Sequence, residues 1–309
     1  MREIRLLEWR RLQPAWLSLL PVAALMAGGT LLAQTAYKAE IEQWRKEREA
    51  KLLKDNGWLT VAGLFWLKNG ENHVGTASSN EIALPPQSAP ARVGSFLFRN
   101  GKTVFTAESG VEVSASGKPI RSLEMKPDEP GPADIITIGA LSMFVIRRGD
   151  RYAIRLRDNN SSFRKQFSRL HWFDLDETWR VRAKWVPYNP PKKIGVLDIV
   201  GITEPATCPG YAVFTLAGKE LRLEPTDEDG ELFFVFRDLT AGKETYPSGR
   251  FLDAVAPRDG YVILDFNKAY NPPCAFTPYA TCPLPSPQNR LQVRIPAGEL
   301  VYHSPAPAK

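Results

Sequence analysis

Residues 135–158, IITIGALSMFVIRRGDRYAIRLRD, decide the fold class of this chain. The stretch consists of two apolar runs of strand length separated by Gly149 and Asp150, residue types that are common in turns. In the second run Tyr152, Ile154 and Leu156 alternate with Ala or Arg, which is typical of a strand that buries one face. The stretch therefore predicts two β-strands with a turn between them.

The same pattern continues through most of the chain. From Trp58 onward, thirteen short runs rich in β-branched and aromatic residues are separated by Gly, Pro, Asn and Asp. So many short strands with frequent turns indicate β-sandwiches or β-barrels, and they leave little room for helices. We therefore predict an all-β body.

A polar segment, residues 159–179, interrupts the strand pattern. It predicts one short helix near residues 163–170 and a domain boundary close to Asp158. Residues 57–158 are then expected to form a β-sandwich. Residues 159–309 are expected to form a second β-sandwich or barrel domain that carries a proline-rich cysteine loop.

The N-terminal segment, residues 1–36, has the pattern of a signal peptide or a membrane anchor. Arginines within residues 1–11 precede an uncharged stretch from Leu12 to Tyr37, whose apolar part is long enough to cross a hydrocarbon layer of roughly 30 Å. Small residues near its end also suit a signal peptidase, so both alternatives stay open. Since a basic flank stays in the cytoplasm, we expect an extracytoplasmic body, periplasmic or anchored in the cell envelope, with the membrane as a partner.

Residues 37–56 follow this segment and contain few apolar side chains among dense charges. The spacing of the apolar residues predicts a charged helical spacer, and Asn56–Gly57 predicts its end.

The composition is that of a folded protein, with 43% hydrophobic and 24% charged residues. The formal net charge is +6, but Lys and Arg are interleaved with Asp and Glu and form no basic block. Because nucleic-acid binding needs a concentrated basic surface, nucleic acid is not a predicted partner.

Common catalytic and metal-binding motifs are absent from the sequence. The histidines, His73, His171 and His303, lie far apart and have no cysteine nearby. No H-E-x-x-H, G-x-S-x-G, Walker or G-x-G-x-x-G line occurs. We therefore predict no metal and no cofactor, while enzymatic activity stays an open question because catalytic residues can assemble from distant positions.

The N-terminal half resembles a forkhead-associated domain, the β-sandwich whose loops bind phosphothreonine. Four residues match the G-R-x-x-x-N-x-I-x-L line of that family: Gly75, Asn80, Ile82 and Leu84. Gly117–Lys118 matches its later N-G-K turn. Thr76 stands where the family places its phosphate-binding arginine, so the resemblance implies the sandwich fold and leaves phosphothreonine recognition open.

A second resemblance covers more of the chain, from about Tyr37 to the C-terminus. Three stretches carry it: DNGWLTVAGLFWLKNGENHVG (55–75), FFVFRDLTAGKETYPSGRFL (233–252) and LDFNKAYNPPCAFTPYATCPLPSPQNRL (264–291). They are similar to the bacterial domain-of-unknown-function family numbered 1684. This family brings no established activity with it.

The densest polar cluster follows apolar strands in the C-terminal half. Its members are Arg237, Asp238, Tyr246, Arg250, Asp265, Asn267, Tyr270 and Asn271. Strand ends of a β-barrel can present such groups to a ligand, and Arg250 can clamp a carboxylate or a phosphate. The alternative is a buried network of ion pairs and Asn-rich turns that stabilises the fold.

These residues predict a ligand- or partner-binding module whose partner is an unknown small molecule or an envelope protein. A hydrolase that uses Asp238 or Asp265 as its general base is one alternative, since such a base needs a tuned pKa in a cleft. A structural scaffold without a small-molecule site is the other.

Two cysteines, Cys274 and Cys282, lie eight positions apart in YNPPCAFTPYATCPLPSP (270–287). An extracytoplasmic location favours a disulfide. A metal site would need two more ligands, and a catalytic redox pair is more often C-x-x-C. We predict a disulfide, with Cys208 as the odd thiol, and we expect it to hold the wall of the candidate pocket at the polar cluster, next to Asn267 and Tyr270.

Overall fold

The structure is a computed structural model that describes the backbone of residues 20–303 and the side chains of residues 34–303. Most of the predicted signal peptide or anchor lies outside the described residues. No helix within the described range combines the length and the hydropathy that crossing a bilayer requires. The chain divides into two compact units, residues 1–44 and residues 45–309. The features discussed below all lie in the second unit.

The helices are α1 (Leu20–Leu53) and α2 (Ser162–Gln166). The strands are β1 (Val61–Trp66), β2 (Gly70–Gly75), β3 (Ile82–Ala83), β4 (Gly94–Arg99), β5 (Lys102–Ala107), β6 (Val113–Ala115), β7 (Lys118–Ile120), β8 (Ser122–Met125), β9 (Ile135–Ile138), β10 (Leu141–Arg148), β11 (Arg151–Asp158), β12 (Arg180–Leu197), β13 (Thr203–Leu216), β14 (Lys219–Leu223), β15 (Thr226–Glu228), β16 (Glu231–Phe236), β17 (Arg250–Ala254) and β18 (Tyr261–Asp265). The predicted all-β body is confirmed, and the spacer predicted at residues 37–56 is the later part of α1.

The N-terminal β region, residues 61–158, consists of two sheets that share one core. One sheet has the order β1-β11-β10-β9-β6-β7 and the other β3-β2-β4-β5-β8. The stretch 135–158 supplies β9, β10 and β11, and β10 pairs with β11 from Leu141↔Asp158 to Arg148↔Arg151. Met143 and Val145 of β10 pack in the same cluster as Phe96 and Phe105 of the other sheet. Alternation along these strands therefore places one face of each sheet in the core.

The C-terminal β region, residues 180–265, also has two sheets. Their orders are β14-β13-β12-β18 and β15-β16-β17. The core between them includes Phe234, Phe236 and Leu264, and Phe266 contacts Phe236 edge-on with ring centroids 5.5 Å apart. In the described part of the chain, no sheet contains strands from both sides of Asp158. The two regions also touch, because the Gly149 N–H of the β10–β11 turn donates to Glu204 Oε1 of β13 at 3.0 Å.

Strands β12 and β13 extend beyond their sheet as a two-stranded ribbon, residues 186–211. β18 pairs only with Arg180–Lys184, and β14 pairs only with Ala212–Leu216. β12 is a single strand of 18 residues, longer than the short runs that the sequence predicts. Proline has no backbone N–H to donate to a neighbouring strand. Prolines are tolerated here because the outer edges of a two-stranded ribbon have no further strand to bond, and because the pairing is irregular between Pro187 and Lys192.

Candidate functional site

Arg250, the predicted ligand clamp, lies in the core of the C-terminal β region and is 1% exposed. Its Nη2 donates to Asp238 Oδ1 at 3.2 Å and to the Ile295 carbonyl at 3.1 Å, and its Nη1 donates to the Ala297 carbonyl. Burial lowers the pKa of Arg250, and the Asp238 carboxylate raises it in part. All of these hydrogen bonds are made within the protein, so the guanidinium offers no exposed atom to a ligand.

Asp238 completes what we call the Arg250 network (Asp238, Thr240, Arg250, Ile295 and Ala297). Its Oδ2 accepts the Ile295 N–H at 2.7 Å, and its Oδ1 accepts the Thr240 hydroxyl at 2.8 Å. Since both carboxylate oxygens are occupied, Asp238 has no lone pair directed at a substrate. For this pair the structure favours the buried network, the alternative that the sequence left open.

Asp265, Asn267 and Asn271 are likewise buried. Asp265 caps a short 3₁₀ turn by accepting the Asn267 N–H at 3.2 Å, and Asn267 Nδ2 donates to the Asp176 carbonyl at 2.9 Å. Asn271 Nδ2 donates to the Leu300 carbonyl at 2.7 Å. These side chains hold turns in place. The geometry therefore gives neither Asp238 nor Asp265 the open cleft that a general base requires.

The remaining predicted residues lie apart from one another. Arg237 is exposed and donates to the Pro247 carbonyl, and the Tyr246 hydroxyl donates to the Cys274 carbonyl at 3.2 Å. The Tyr270 hydroxyl donates to Asp253 Oδ2 at 3.0 Å. Hence the eight residues do not surround one common cavity.

Tyr270 borders a second buried ion pair. The Arg48 guanidinium of α1 lies over the Tyr270 ring, 4.7 Å from its centroid, and donates to Glu299 Oε2 at 3.3 Å. Glu299 is fully buried, and burial raises the pKa of its carboxyl to about 7, although Arg48 and Asn271 lower it in part. This pair joins α1 to the segment that follows the C-terminal β region.

The predicted disulfide between Cys274 and Cys282 is confirmed, with the two Cα atoms 6.3 Å apart. Cys208 is free and buried. Residues 274–282, the Cys loop, are fixed from two sides. Thr281 Oγ1 accepts from Arg148 Nε at 3.1 Å and from Arg155 Nη2 at 3.3 Å. On the other side, the Ile199 N–H at the tip of the ribbon donates to the Cys282 carbonyl at 2.9 Å.

A cavity of about 710 Å³ lies beside the Cys loop, and we call it the acidic cavity. Its walls come from the N-terminal β region, the ribbon, the β15–β16 hairpin and the Cys loop. The apolar part of the lining consists mainly of Trp58, Val196, Phe233, Val235 and Phe251. Five carboxylates and one arginine also line it: Glu129, Asp198, Glu204, Asp227, Glu228 and Arg148. A concave, largely apolar surface with a few polar groups is typical of small-molecule sites.

The carboxylates of the acidic cavity repel one another. Loss of hydration raises the pKa of Glu129, and the nearby Glu204 raises it further. For Glu228, loss of hydration and the charges of Asp253 and Asp229 raise the pKa. Both side chains keep substantial contact with solvent, so each effect is screened.

Asp198 is the most buried carboxylate of the cavity, with 6% exposure. It begins the tight turn at the tip of the ribbon, where its Oδ1 accepts the N–H groups of Val200 and Ile202 at 3.0 and 2.8 Å. Its Oδ2 is buried and has no hydrogen-bond partner. Because Oδ2 is itself buried, Asp198 mainly holds the turn at the tip of the ribbon and offers no accessible oxygen to the cavity.

The arginines near the cavity are already engaged. Arg148 donates to Asp128 at 3.0 Å, so its charge is neutralised within the protein. Arg155 is 3% exposed, its guanidinium lies 5.5 Å from the ring centroid of Trp58, and burial lowers its pKa to about 10. The net electrostatic character of the cavity is therefore negative.

Sequence reasoning missed this cavity because its lining comes from distant segments. Glu129 lies between β8 and β9, whereas Glu204 lies on β13. The one local signal is TDEDGE, residues 226–231, in which four of six residues are acidic. The Cys loop was recognised, but Cys282 and Thr281 line this cavity and not the pocket that the sequence predicted at the polar cluster around Arg250.

Comparisons with known proteins find similar proteins whose descriptions name no activity. The family described as "Protein of unknown function (DUF1684)" matches residues 165–300, a shorter range than the sequence resemblance suggested. The solution NMR structure of an uncharacterized protein from gene locus rrnAC0354 of Haloarcula marismortui is 33% identical. That alignment covers 44% of this chain and 78% of the other, with a TM-score of 0.38. No curated protein matches the chain.

Proposed function

Because this chain belongs, through residues 165–300, to the DUF1684 family of proteins of unknown function, we propose its role from the geometry alone: it is a small-molecule-binding protein, and the acidic cavity is its site. The proposal keeps the predicted ligand-binding module but moves its site away from Arg250. A cavity of about 710 Å³ is of the size that holds a small organic ligand.

The observation that carries this proposal is the lining of the cavity, which combines an apolar surface of Phe233, Val235 and Phe251 with five carboxylates. A concave apolar surface that gathers a few polar groups is what small-molecule sites have in common. The wall is also rigid, since the disulfide and the bonds to Thr281 fix the Cys loop beside it. A rigid wall lowers the entropy that a ligand must lose on binding.

A hydrolytic reaction is the second candidate. Loss of hydration and the charge of the nearby Glu204 raise the pKa of Glu129, and a carboxyl with a raised pKa suits general acid catalysis. This alternative replaces the predicted general bases Asp238 and Asp265, whose oxygens cap turns or complete the Arg250 network. It predicts that Glu129→Gln abolishes turnover of a bound ligand while binding persists.

We further propose an extracytoplasmic location in the cell envelope, with the membrane contacted through residues 1–36. The basic flank before Leu12 and the Cys274–Cys282 disulfide support this location. For the N-terminal β region we propose a forkhead-associated-like scaffold, supported by its two sheets packed over one core. Asn80 supports a structural role for the matching residues, because its Nδ2 donates to the Ala77 and Ala91 carbonyls.

Equilibrium dialysis against a small-molecule extract, followed by mass spectrometry, tests the binding proposal. A cavity-filling variant, Ala206→Trp, is compared with Val213→Trp, which changes a separate cavity of about 510 Å³. Wild type and Val213→Trp should retain the same compound, and Ala206→Trp should not. Equal retention by all three proteins, or retention of nothing by wild type, would contradict the proposed site. Melting curves confirm that both variants are folded.

A further inference from the structure

Arg155 is a buried guanidinium without an anionic partner in the protein. It is 3% exposed, and among the described residues it takes part in no salt bridge. Its Nη2 donates to Thr281 Oγ1 at 3.3 Å, the one hydrogen bond that this guanidinium makes within residues 34–303. Its Nε is buried without a partner. Because a guanidinium has five N–H donors, most of the donors of Arg155 are unused.

The position of Arg155 on β11 explains its burial. The neighbouring Ile154 packs in the core of the N-terminal β region, so Arg155 lies on the opposite face of the strand. Trp58 and the Cys loop cover that face, and the guanidinium lies 5.5 Å from the centroid of the Trp58 ring. Burial and the charge of Arg148 lower the pKa of Arg155 to about 10, so the side chain is still charged at neutral pH. A positive charge that only neutral groups contact is therefore enclosed here, which is costly.

This charge lies at the edge of the acidic cavity. Trp58, Thr281 and Arg148 all line the cavity. Arg148 Nε donates to the same Thr281 Oγ1 at 3.1 Å, so one hydroxyl oxygen brings two guanidinium groups together. Among the described residues, Asp128 is the one carboxylate that forms a salt bridge with either of them, at 3.0 Å from Arg148 Nη1. Two guanidinium groups and one carboxylate leave one net positive charge, and we call this part the arginine end of the cavity.

The carboxylates of the cavity do not cancel this charge. Glu129, Asp227 and Glu228 are exposed, so water screens their charges, whereas Arg155 is enclosed. Asp198 is held in its own turn. None of the five lining carboxylates forms a salt bridge with a described residue. One anionic group is therefore attracted to the arginine end, and a second one elsewhere in the cavity is repelled.

An apolar wall begins at the arginine end. Trp58 packs in the same hydrophobic cluster as Phe233, Val235 and Phe251, and all four residues line the cavity. Phe233 and Phe251 contact each other edge-on with ring centroids 4.8 Å apart. Hydrocarbon groups bury favourably against such a surface. The wall thus matches a molecule that has one charged end and an apolar body.

We propose that the ligand of the acidic cavity is an organic monocarboxylate with an apolar body. The planar carboxylate accepts N–H donors of Arg155 and Arg148, and its single charge equals the net charge of the arginine end. The apolar body lies against Trp58 and Phe251. The exposed carboxylates disfavour a dicarboxylate by repulsion. This inference rests on the proposed binding function and adds the chemical class of the ligand.

Isothermal titration calorimetry with three compounds of matched chain length tests the class of ligand. The compounds are octanoate, the neutral 1-octanol and the dicarboxylate suberate. Wild type should bind octanoate about tenfold or more tightly than either of the others, because only octanoate supplies one anionic end and one apolar end. Ala206→Trp should lose octanoate binding, whereas Val213→Trp should keep it. Octanoate binding that persists in Ala206→Trp would lie outside the cavity and would overturn the proposal.

Replacing Arg155 separates a binding role from a structural role. Arg155→Met should weaken octanoate binding about tenfold or more, because charge-assisted hydrogen bonds are lost. Its melting temperature should not fall, because an apolar side chain in place of an unpaired buried charge is neutral or stabilising. Arg151→Met removes an exposed guanidinium of the same strand, which lies over the Trp66 ring, and should change neither quantity.

Two results with these variants would overturn the proposal. One is a lower melting temperature of Arg155→Met with unchanged octanoate affinity, which is the result of a purely structural role. The other is equal weakening in Arg155→Met and Arg151→Met, which is the result of attraction to general positive charge. If Arg155→Met does not fold, Arg155→Lys provides the same test: it keeps the charge but loses the planar fork, so octanoate should bind more weakly and 1-octanol equally.

The failures of the two proposals are distinguishable. If 1-octanol or suberate binds as tightly as octanoate and is lost in Ala206→Trp, the monocarboxylate class is wrong and the binding function stands. The same holds if dialysis retains a compound without a carboxylate. If wild type retains nothing in dialysis and binds none of the three titrated compounds, both proposals are wrong.

Discussion

The Arg250 network and the acidic cavity are both polar regions bordered by the C-terminal β region, and they differ in whether their charges are paired. In the network, Arg250 and Asp238 bond to each other and to backbone groups, and both are buried. In the cavity, none of the five lining carboxylates forms a salt bridge with a described residue. The comparison teaches that charges paired inside the core brace the fold, whereas carboxylates without ion-pair partners around a concave surface mark the candidate binding site.

The largest expected effect comes from breaking the network. Arg250→Ala leaves Asp238 as a buried charge without its partner, and such changes cost about 3–5 kcal/mol. Urea unfolding should therefore show a large loss of stability. Arg237→Ala, which removes a neighbouring exposed guanidinium, should lose less than about 1 kcal/mol. Equal stability of the two variants would contradict a structural role for Arg250.

The next effect is a pH dependence from Glu299, the carboxylate at the edge of the network. Its pKa is raised to about 7 in the folded protein, so the folded state holds the proton more tightly than the unfolded state. Stability should therefore fall as pH rises from about 4.5 to about 7, by about 3 kcal/mol from this group.

Urea unfolding of wild type and Glu299→Gln across this pH range isolates the contribution of Glu299. The variant should show a flatter profile, while Glu108→Gln, an exposed control, should follow wild type. If the free energy of unfolding of Glu299→Gln fell with pH as steeply as that of wild type, a group other than Glu299 would bind the proton.

The disulfide between Cys274 and Cys282 is expected to affect both the stability of the protein and the wall of the acidic cavity. Replacing Cys274 and Cys282 by Ser should cost about 2.5 kcal/mol, as the loop that they close is short. Ligand affinity should fall as well, because Cys282 and Thr281 line the cavity. Titration with a reductant should reproduce both changes in wild type and leave the double variant unaffected. An unchanged affinity after reduction would show that the Cys loop does not shape the site.

The smallest effect has the opposite sign. Glu228→Gln removes a carboxylate that Asp229 and Asp253 repel, so it should stabilise the ligand-free protein by less than about 1 kcal/mol after solvent screening. Removing a charge from the network destabilises, whereas removing one from the cavity stabilises. Thermal unfolding measures this difference, with Glu220→Gln expected to be neutral. A clear destabilisation by Glu228→Gln would mean that its carboxylate is structurally satisfied.

The strands could be predicted from the sequence because their signal is local. Alternation over residues 151–158 gave β11, and the polar segment after Asp158 gave the short helix α2. The length of β12 could not be predicted, since prolines near residue 190 are tolerated only in a ribbon with free edges. Gly75, which matched a family line, has a steric reason: a Cβ there would lie 2.2 Å from the Ala91 carbonyl oxygen.

The candidate site was harder to predict because tertiary contacts decide whether a polar side chain finds a partner within the protein. The sequence shows that Arg250 and Asp238 are polar and follow apolar strands, but their bonds go to residues 295–297, far along the chain. The cavity carboxylates come from four separate segments, so no spacing rule brings them together. Of the features around the cavity, only the disulfide could be predicted, because that prediction needs just two nearby cysteines and an expected oxidising environment.

The ribbon makes ligand binding a property of both β regions. Glu204 on the ribbon accepts the Gly149 N–H from the β10–β11 turn at 3.0 Å, and the tip of the ribbon is bonded to the Cys loop. The ribbon therefore connects the two β regions mechanically, and a ligand bound beside it would form an additional, reversible link between segments far apart in the chain. An occupied cavity would therefore resist a force that pulls the two β regions apart more than it would resist the unravelling of either region by itself.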